Sequence, residues 1–550
     1  MQSTKNIMKT NLFKNATGAI ALCVILLTAV SCEKEIPVAS LDLDRNEATV
    51  QVGATLAILP VIDPPDATNR NVTWTSSNTG IATVSGGVVT GVALGDATIT
   101  ATSDENPLFA ATCDVTVVPS TGQVITVSGD ITADTRWYAQ AKYHLSGFVY
   151  VKNNATLTIE PGTIIKGVSN TKATLIIERG SRIMAAGTAD KPIVFTSDKA
   201  PGLRATGDWG GIVIAGNAKT NKHDDGAGVG IAEGGVGTKY GGTDDNDNSG
   251  VLQYVRIEFP GIPLTSTANS EINGLTLYAV GKTTTIDHIQ VSYSGDDSYE
   301  WFGGNVNARY IVAFGGLDDA FDTDNGFTGK IQFGLIIQDP LKSDQSGSNA
   351  FESDNDADGS LLTPVTAPVF SNVTALGPLT VTATLPAETK HEKALHLRRG
   401  TKTSVYNSVF AGFPQGLSID GQKGNSPTLA DQNELQLENT ILAGMTVNYV
   451  EKTGTVAVPY TVAQHQAYFT ATARNNSDNM TVADIIGTGF INLTSPNLLP
   501  QAGSALLSGA SFTNSRLTDT FFTPTTYRGA FGTANWTSGW CNWNPQSTVY

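Results

Sequence analysis

Three phrases in the middle of the chain concentrate carboxylates. They read Gly295-Asp296-Asp297-Ser298-Tyr299-Glu300-Trp301, Leu317-Asp318-Asp319-Ala320-Phe321-Asp322-Thr323-Asp324 and Ser348-Asn349-Ala350-Phe351-Glu352-Ser353-Asp354. Two later segments share their pattern: Ala394-Leu395-His396-Leu397-Arg398 and Gly416-Leu417-Ser418-Ile419-Asp420. In each, one parity is mostly apolar (Tyr299/Trp301, Phe321/Thr323, Phe351/Ser353, Leu395/Leu397, Leu417/Ile419). The other is nearly all polar (Glu300/Phe302, Asp322/Asp324, Glu352/Asp354, His396/Arg398, Ser418/Asp420). Side chains alternate between the faces of a strand, so each segment is a strand with an apolar inner face and a polar outer one. Paired carboxylates beside His396 and Arg398 are the residue types that glycosidic cleavage or proton abstraction needs. Glu300, Asp322, Asp324, Glu352, Asp354 and Asp420 are therefore candidate ligand-binding groups. Asp322, Asp324, Glu352, His396 and Arg398 are the catalytic candidates if the chain is an enzyme.

The elements that would position them come from the spacing. Tyr299 and Phe321 are 22 residues apart, Phe321 and Phe351 are 30, and Leu395 and Leu417 are again 22. Strand-like segments recurring at this period, broken by Gly and Asn, predict the coils of a parallel β-helix. Neighbouring coils would sit about 4.8 Å apart. Two ionised carboxylates at that separation repel by roughly 3–4 kcal/mol at an effective dielectric near 20. The outer columns therefore call for a bound cation, raised pKa values, or help from His396 and Arg398. Side chains splayed into water are the bland alternative.

A second motif points to a cation directly. Asp354-Asn355-Asp356-Ala357-Asp358-Gly359 has the alternating carboxylates and sharp-turn glycine of a calcium loop, with Asp354, Asp356 and Asp358 as ligands and Ca2+ as the implied cofactor. Its twelfth position is Val365 rather than Glu, so it is not a complete EF-hand, and a solvated acidic turn reads equally well. Asp245 to Gly250 is a weaker copy. No Ser/His/Asp, phosphate-loop or zinc-ligand pattern stands out.

The chain has 550 residues, a formal net charge of −16, 56 Gly and only 15% charged residues. That balance suits an extracellular all-β protein and disfavours nucleic acid as a partner. Residues 1–31 read as a targeting signal: Lys5, Lys9 and Lys14 precede an apolar run from Ala16 to Val30. Ala29-Val30-Ser31-Cys32 resembles a bacterial lipobox, which implies cleavage before Cys32, lipidation of Cys32 and a membrane held through that lipid. A plain secretory peptide with an incidental Cys is the alternative. Residues 32–38 are a short tether.

From 39 to 118 short alternating strands are separated by turn residues, as in an Ig-sized β-sandwich with Trp74 as core aromatic. Trp74-Thr75-Ser76-Ser77-Asn78, Ala82-Thr83-Val84, Gly87-Val88-Val89-Thr90-Gly91 and Ala97-Thr98-Ile99-Thr100-Ala101 resemble the bacterial Ig-like group 2 domain. That resemblance implies a spacer or adhesion module. Cys113 and Cys541 fall in different domains, which argues against a structural disulfide.

Residues 119–550 form the second domain. Asn217 to Gly250 interrupts the coil rhythm with Gly, Asp and Asn, a long excursion of the kind that often carries function. Asn372, Asn407 and Asn439 occupy one coil position and predict an internal Asn ladder. From about 443 the pattern loosens, with a helical piece near Gln464–Arg474 and an aromatic end at Trp536, Trp540 and Trp543. A solenoid needs its open end covered, so these tryptophans are expected in a C-terminal cap. A carbohydrate-stacking platform is the sharper reading. The coil length and Asn corners resemble the pectate-lyase-like superfamily. The acidic phrases and Tyr527-Arg528-Gly529-Ala530-Phe531-Gly532 resemble Bacteroidetes-type surface lipoproteins.

These resemblances imply an all-β chain, an Ig-like sandwich followed by a right-handed parallel β-helix with a C-terminal cap, sited at the outer membrane or cell surface. Pectate-lyase-type enzymes imply a calcium cluster with an Arg base. Polygalacturonase-type relatives imply acidic residues on adjacent coils with a His and a basic group. The chain departs from both: it has no Gly-His-Gly and no Arg-Ile-Lys, and Asp322-Thr323-Asp324 only echoes Asn-Thr-Asp. The expected function is a lipid-anchored surface protein whose acidic face binds a polysaccharide or cell-surface glycan. The alternative is a calcium-assisted polysaccharide lyase or glycoside hydrolase. An intact acidic cleft with open ends would favour the enzyme, a filled or flat face the binder.

Overall fold

The computed structural model describes residues 34–233, 235–263 and 271–550. Cys32 and the leader before it lie outside the described residues. The chain divides into two compact units between Val117 and Val118.

The first unit is a β-sandwich. One sheet holds Glu47–Gln51, Ala110–Val118, Gly95–Ser103 and Val72–Ser76, and the other holds Thr55–Ala57, Val88–Gly91 and Ala82–Ser85. The alternation of its strands buries Val50, Ala82, Val89, Ile99, Val115 and Val117. Cys113 is a fully buried free thiol among them, and Trp74 packs half-buried against that core.

The second unit is a solenoid. Twenty-six strands, from Val124–Ile131 to Ser477–Met480, join in one sheet, and the coil-to-coil pairings are parallel. Tyr299 lies over Phe321, Phe321 over Phe351, Phe351 over Leu395 and Leu395 over Leu417. The step from Phe351 to Leu395 consumes 44 residues, yet it is one coil: the surplus leaves the stack as loops. Inside, Trp301, Phe321, Phe351, Phe370 and Phe410 are at most 1% exposed and form a continuous aromatic stack. Phe321 and Phe351 rings meet at 5.4 Å. Burying a side chain of this size stabilises the fold by about 1.5–3 kcal/mol.

One corner of the solenoid demands a left-handed backbone. Tyr254, His288, Tyr310, Phe333, Asn372, Asn407 and Asn439 all have φ between 49° and 63°. Such a backbone is costly for most L-residues and cheapest for Asn. Where the residue is aromatic, stacking offsets the cost: Tyr254 to His288, His288 to Tyr310 and Tyr310 to Phe333 lie 4.3, 4.5 and 4.9 Å apart. The three asparagines share this corner as the sequence suggests, but they do not form a closed internal ladder. Asn372 donates to Thr525 Oγ1 and the Tyr527 carbonyl, and Asn407 exchanges two bonds with the Ser511 backbone. Asn372 and Asn407 are sockets for the C-terminal segment, whereas Asn439 accepts from the Asn475 amide on the next coil.

That segment corrects a second expectation. Coils continue through Val447–Tyr449 and Ser477–Met480, with the helix Val462–Phe469 started by a Thr461/Gln464 capping box. Beyond about residue 491 the chain turns back and runs along the side of the solenoid toward its early coils. Asn514 bonds Gln436, Asp519 pairs with Lys330, Thr523 bonds Gln332, Asn542 bonds Gln290, and Arg204 donates to the Pro545 carbonyl. The tryptophans are therefore neither an end cap nor a sugar platform. Trp540 is 1% exposed, and it packs with Trp536 on the Tyr254/His288/Tyr310 stack. The physical reason is the outer face beneath: Val312, Phe314, Leu335, Ile337 and Leu376 point outward there and need a cover.

Candidate functional site

The polar parity forms three columns on one outer face. Thr276, Glu300, Asp322, Glu352, His396 and Ser418 lie in line, one per coil. Beside them run Tyr278, Phe302 and Asp324, continued by Asp354, Arg398 and Asp420 through the coil-to-coil backbone bonds. At the entry to the same strands stand Asp297 and Asp319, with Asp296 and Asp318 one residue earlier.

These columns floor a cleft of about 470 Å³. The excursion from Asn217 to Gly250 packs beside it. Its Tyr240 stacks on Tyr278, which stacks on Phe302, each at 4.6 Å, and its Asn221 is tied to the Asn355 carbonyl. Glu233, from the same excursion, faces the cleft, and Asp344 and Ser346 line it too. The excursion re-enters the stack at Gly250 (φ 114°), where a Cβ would sit 1.9 Å from the Ile183 carbonyl oxygen. Only glycine fits that crossing.

In each doubled aspartate the second member carries a ladder bond. Asp297 Oδ1 accepts the Asp319 N–H at 2.9 Å, Asp319 Oδ1 accepts the Asn349 N–H at 2.6 Å, and Asn349 Oδ1 accepts the Lys393 N–H at 3.1 Å. This rung pattern explains why each phrase carries Asp or Asn at that position. Asp296, Asp297, Asp318 and Asp319 all line the cleft and are absent from the residues that alternation picks out. Their signal was the repeated Asp-Asp before two of the three strands.

Electrostatically the cleft has two ends. At one, Asp296, Asp297, Glu300 and Asp322 are pushed well above the usual carboxylate range by burial, and their mutual repulsion adds to it. Burial, with Asp354 near by, takes Asp324 to about 8, and burial beside Glu352 takes Asp319 to about 7. Among the described residues no Lys, Arg or His forms an ion pair with Asp296, Asp297, Glu300, Asp318 or Asp322. One oxygen of Asp322 is shut off from solvent and accepts no hydrogen bond.

The other end is fully paired. Arg398 binds Glu352 through Nη2 and Asp354 Oδ1 through Nε at 2.8 Å, and Arg399 holds Asp354 Oδ2 at 2.6 Å. Behind them, Glu352 Oε2 meets His396 Nδ1 at 3.1 Å, His396 Nε2 meets Asp420 Oδ2 at 3.4 Å, and Lys452 reaches Asp420 at 3.5 Å. Burial works against the charge on Glu352, yet His396 and Arg398 outweigh it and hold its carboxyl at about 2. Burial also opposes a charge on His396, but Asp420 and Glu352 outweigh it and raise its pKa. Arg398 is likewise held protonated, against burial, by Glu352 and Asp354.

Two site expectations are corrected. His396 and Asp420 sit in the outer columns but are 6% and 3% exposed and lie behind Glu352, so neither lines the cleft. The proposed calcium loop does not converge. Asp354 is spent on two arginines, Asp356 accepts the Asp358 and Ser360 N–H groups and the Ser360 hydroxyl, and Asp358 points into solvent beside Lys423. The carboxylates that do converge lie upstream. The oxygens of Asp296, Asp297 and Asp318 fall within 4.8 Å of one another, and so do those of Asp297, Glu300 and Asp322.

Stacked coils that gather polar side chains into one cleft along an outer face define the class: a β-helix protein with an acidic cleft. The family described as pectate-lyase like beta helix domain matches residues 129–490, more than half of the chain, and the chain belongs to that family. The bacterial Ig-like domain (group 2) matches residues 37–115. An uncharacterised protein of Clostridium acetobutylicum is 30% identical over 87 residues, a stretch covering 16% of this chain and 9% of the clostridial protein. The two family matches together support a carbohydrate-related surface protein.

Proposed function

We propose that this protein is held at the bacterial surface by lipid on Cys32 and that its cleft binds an extended polysaccharide through a hard divalent cation, calcium by preference. The observation that carries the reading is the convergence of carboxylates on the cleft floor, with an oxygen of Asp322 buried and unpartnered. The donor set is all oxygen, which suits calcium. Asp297, Glu300 and Asp322 would hold the ion. A bound cation would offset the repulsion between stacked carboxylates and turn an anionic trench into one able to take sugar hydroxyls or carboxylates. The Ig-like unit serves as spacer. Among the described residues no helix is long and apolar enough to cross a membrane, so attachment in this reading rests on the lipid.

A hydrolase is the second reading, favoured by the concavity of the face and by one contrast. Glu352 is held ionised while burial and the neighbouring carboxylates push Asp322, on the next coil, well above the usual carboxylate range, the separation by which one site keeps a base and an acid together. Asp324 would assist the acid, and His396 would support Glu352 from behind. The lyase version is disfavoured, because Arg398 is clamped protonated by two carboxylates and cannot accept a proton. A glycan array with and without calcium, followed by product analysis on every hit, tests both. Calcium-dependent retention without products supports binding, products support hydrolysis, and no retention in either condition sinks the proposal.

A further inference from the structure

We infer that the last coils of the solenoid carry a second ligand site: the pocket between the helices Ser426–Asp431 and Val462–Phe469 takes one neutral, hydroxyl-bearing sugar unit between Asp431 and Arg474. This site is separate from the acidic cleft and does not depend on a cation there.

The pocket starts from what fixes the helix Val462–Phe469. Phe469 belongs to the core, Tyr468 donates its hydroxyl to the Leu435 carbonyl at 2.8 Å, and His465 Nε2 accepts the Ile419 N–H at 2.9 Å. The helix is thereby a fixed plate over the final coils. Gln464, Ala467 and Tyr468 share one side of it by their spacing. With Asp431, Tyr460 and Arg474 they line a pocket of about 320 Å³. That is the lower end of the range for small-ligand sites.

Three observations point to a ligand. The first is charge held apart. Asp431 and Arg474 line one pocket with opposite charges, yet among the described residues neither forms an ion pair. A tyrosine holds each instead: Tyr460 donates to Asp431 Oδ1 at 3.0 Å, and the Arg474 guanidinium lies 3.9 Å from the centre of the Tyr468 ring. The second is unspent bonding. Arg474 Nη1 is shut off from solvent with no acceptor, and a donor left so gains from any acceptor brought to it. Gln464 spends its Oε1 on the Thr461 N–H and hydroxyl, which leaves its amide N–H groups to give. The third is the ground between the polar groups, where Ala467 and Ala471 are exposed and offer only methyl groups.

These groups select the class of ligand. An anion drawn to Arg474 meets the Asp431 carboxylate, and a cation drawn to Asp431 meets the guanidinium. A hydroxyl is one donor and two acceptors. Neighbouring hydroxyls of one ring can therefore donate to Asp431 and accept from Arg474 and Gln464, with the C–H face of the ring on Ala467. A zwitterion is the rival class.

The test uses the full chain in chelator, which keeps the cleft free of cation. The probes are the methyl glycosides of glucose, galactose and mannose, with glucuronate and alanine as anionic and zwitterionic comparisons, titrated by saturation-transfer NMR. At least one methyl glycoside should bind. Ala467→Trp fills the pocket from an exposed position and Arg474→Met removes the donors, and each should weaken that glycoside by about tenfold or more. Asp322→Asn, in the cleft, should leave its affinity unchanged. If Ala467→Trp binds as the wild type does, or if Asp322→Asn is the variant that loses the sugar, the pocket is not the site. If alanine or glucuronate binds and the glycosides do not, the neutral class is wrong, and if no glycoside binds the inference falls. Should Arg474→Met not fold, judged by circular dichroism, Ala467→Trp decides the question without it.

Discussion

Replacing Glu352 by Gln removes one negative charge from the paired end of the cleft and keeps the shape. The structure sets the size of the effect. Glu352 is bound by Arg398 and His396 with its side chain 13% exposed, and its carboxyl is held at about 2 against an ordinary 4.5. A gap of that size corresponds to on the order of 3 kcal/mol of stability at pH 7. The sign follows from the depression. The stabilisation is complete above pH 4.5 and drains away as pH falls from 4.5 through 2. The difference between wild type and Glu352→Gln should therefore be about 3 kcal/mol at pH 7 and about 1.4 kcal/mol at pH 3. His396 moves the same way: with one of its two carboxylates gone, its raised pKa should fall. Urea unfolding of both proteins at the two pH values measures the gap, and nitrogen-15 spectra of the histidines follow His396. A variant as stable as wild type at pH 7, or a gap that does not shrink in acid, would refute the paired end as described.

Three further outcomes are expected. Phe351→Ala empties the aromatic stack and should cost about 3–5 kcal/mol, whereas Asp322→Ala on the neighbouring outer column should cost under about 1 kcal/mol in calcium-free buffer; thermal melts of the two compare the faces. Trp540→Ala should loosen the C-terminal segment from the Tyr254/His288 stack, seen as faster proteolytic clipping after residue 500, while an unchanged cleavage pattern would argue that the segment is held by its polar sockets alone. Cys32→Ala should move the protein from the membrane fraction to a soluble or unprocessed form, and unchanged partitioning would remove the lipid anchor.

Local alternation determined most of the register. Tyr299, Phe321, Phe351, Leu395 and Leu417 point inward, and Glu300, Asp322, Glu352 and His396 share a column, because a strand's period of two is set by covalent geometry and needs no neighbour. The Ig-like unit was legible for the same reason. What the sequence could not supply was partner choice. Asp354 reads as the head of a calcium loop, but its two oxygens belong to Arg398 and Arg399, more than forty residues on. Asp296 and Asp318 precede their strands, so no alternation says where they point; only the turn of the coil brings Asp318 to Asp296 and Asp297. Trp536 and Trp540 read as an end cap, yet an apolar outer face ran the length of several coils and drew the chain back along it. Coils here consume 22, 30 or 44 residues to rise by the same step. Which way a side chain faces is therefore written locally, while what it meets depends on how much chain each coil spends in loops, and only the assembled stack decides that.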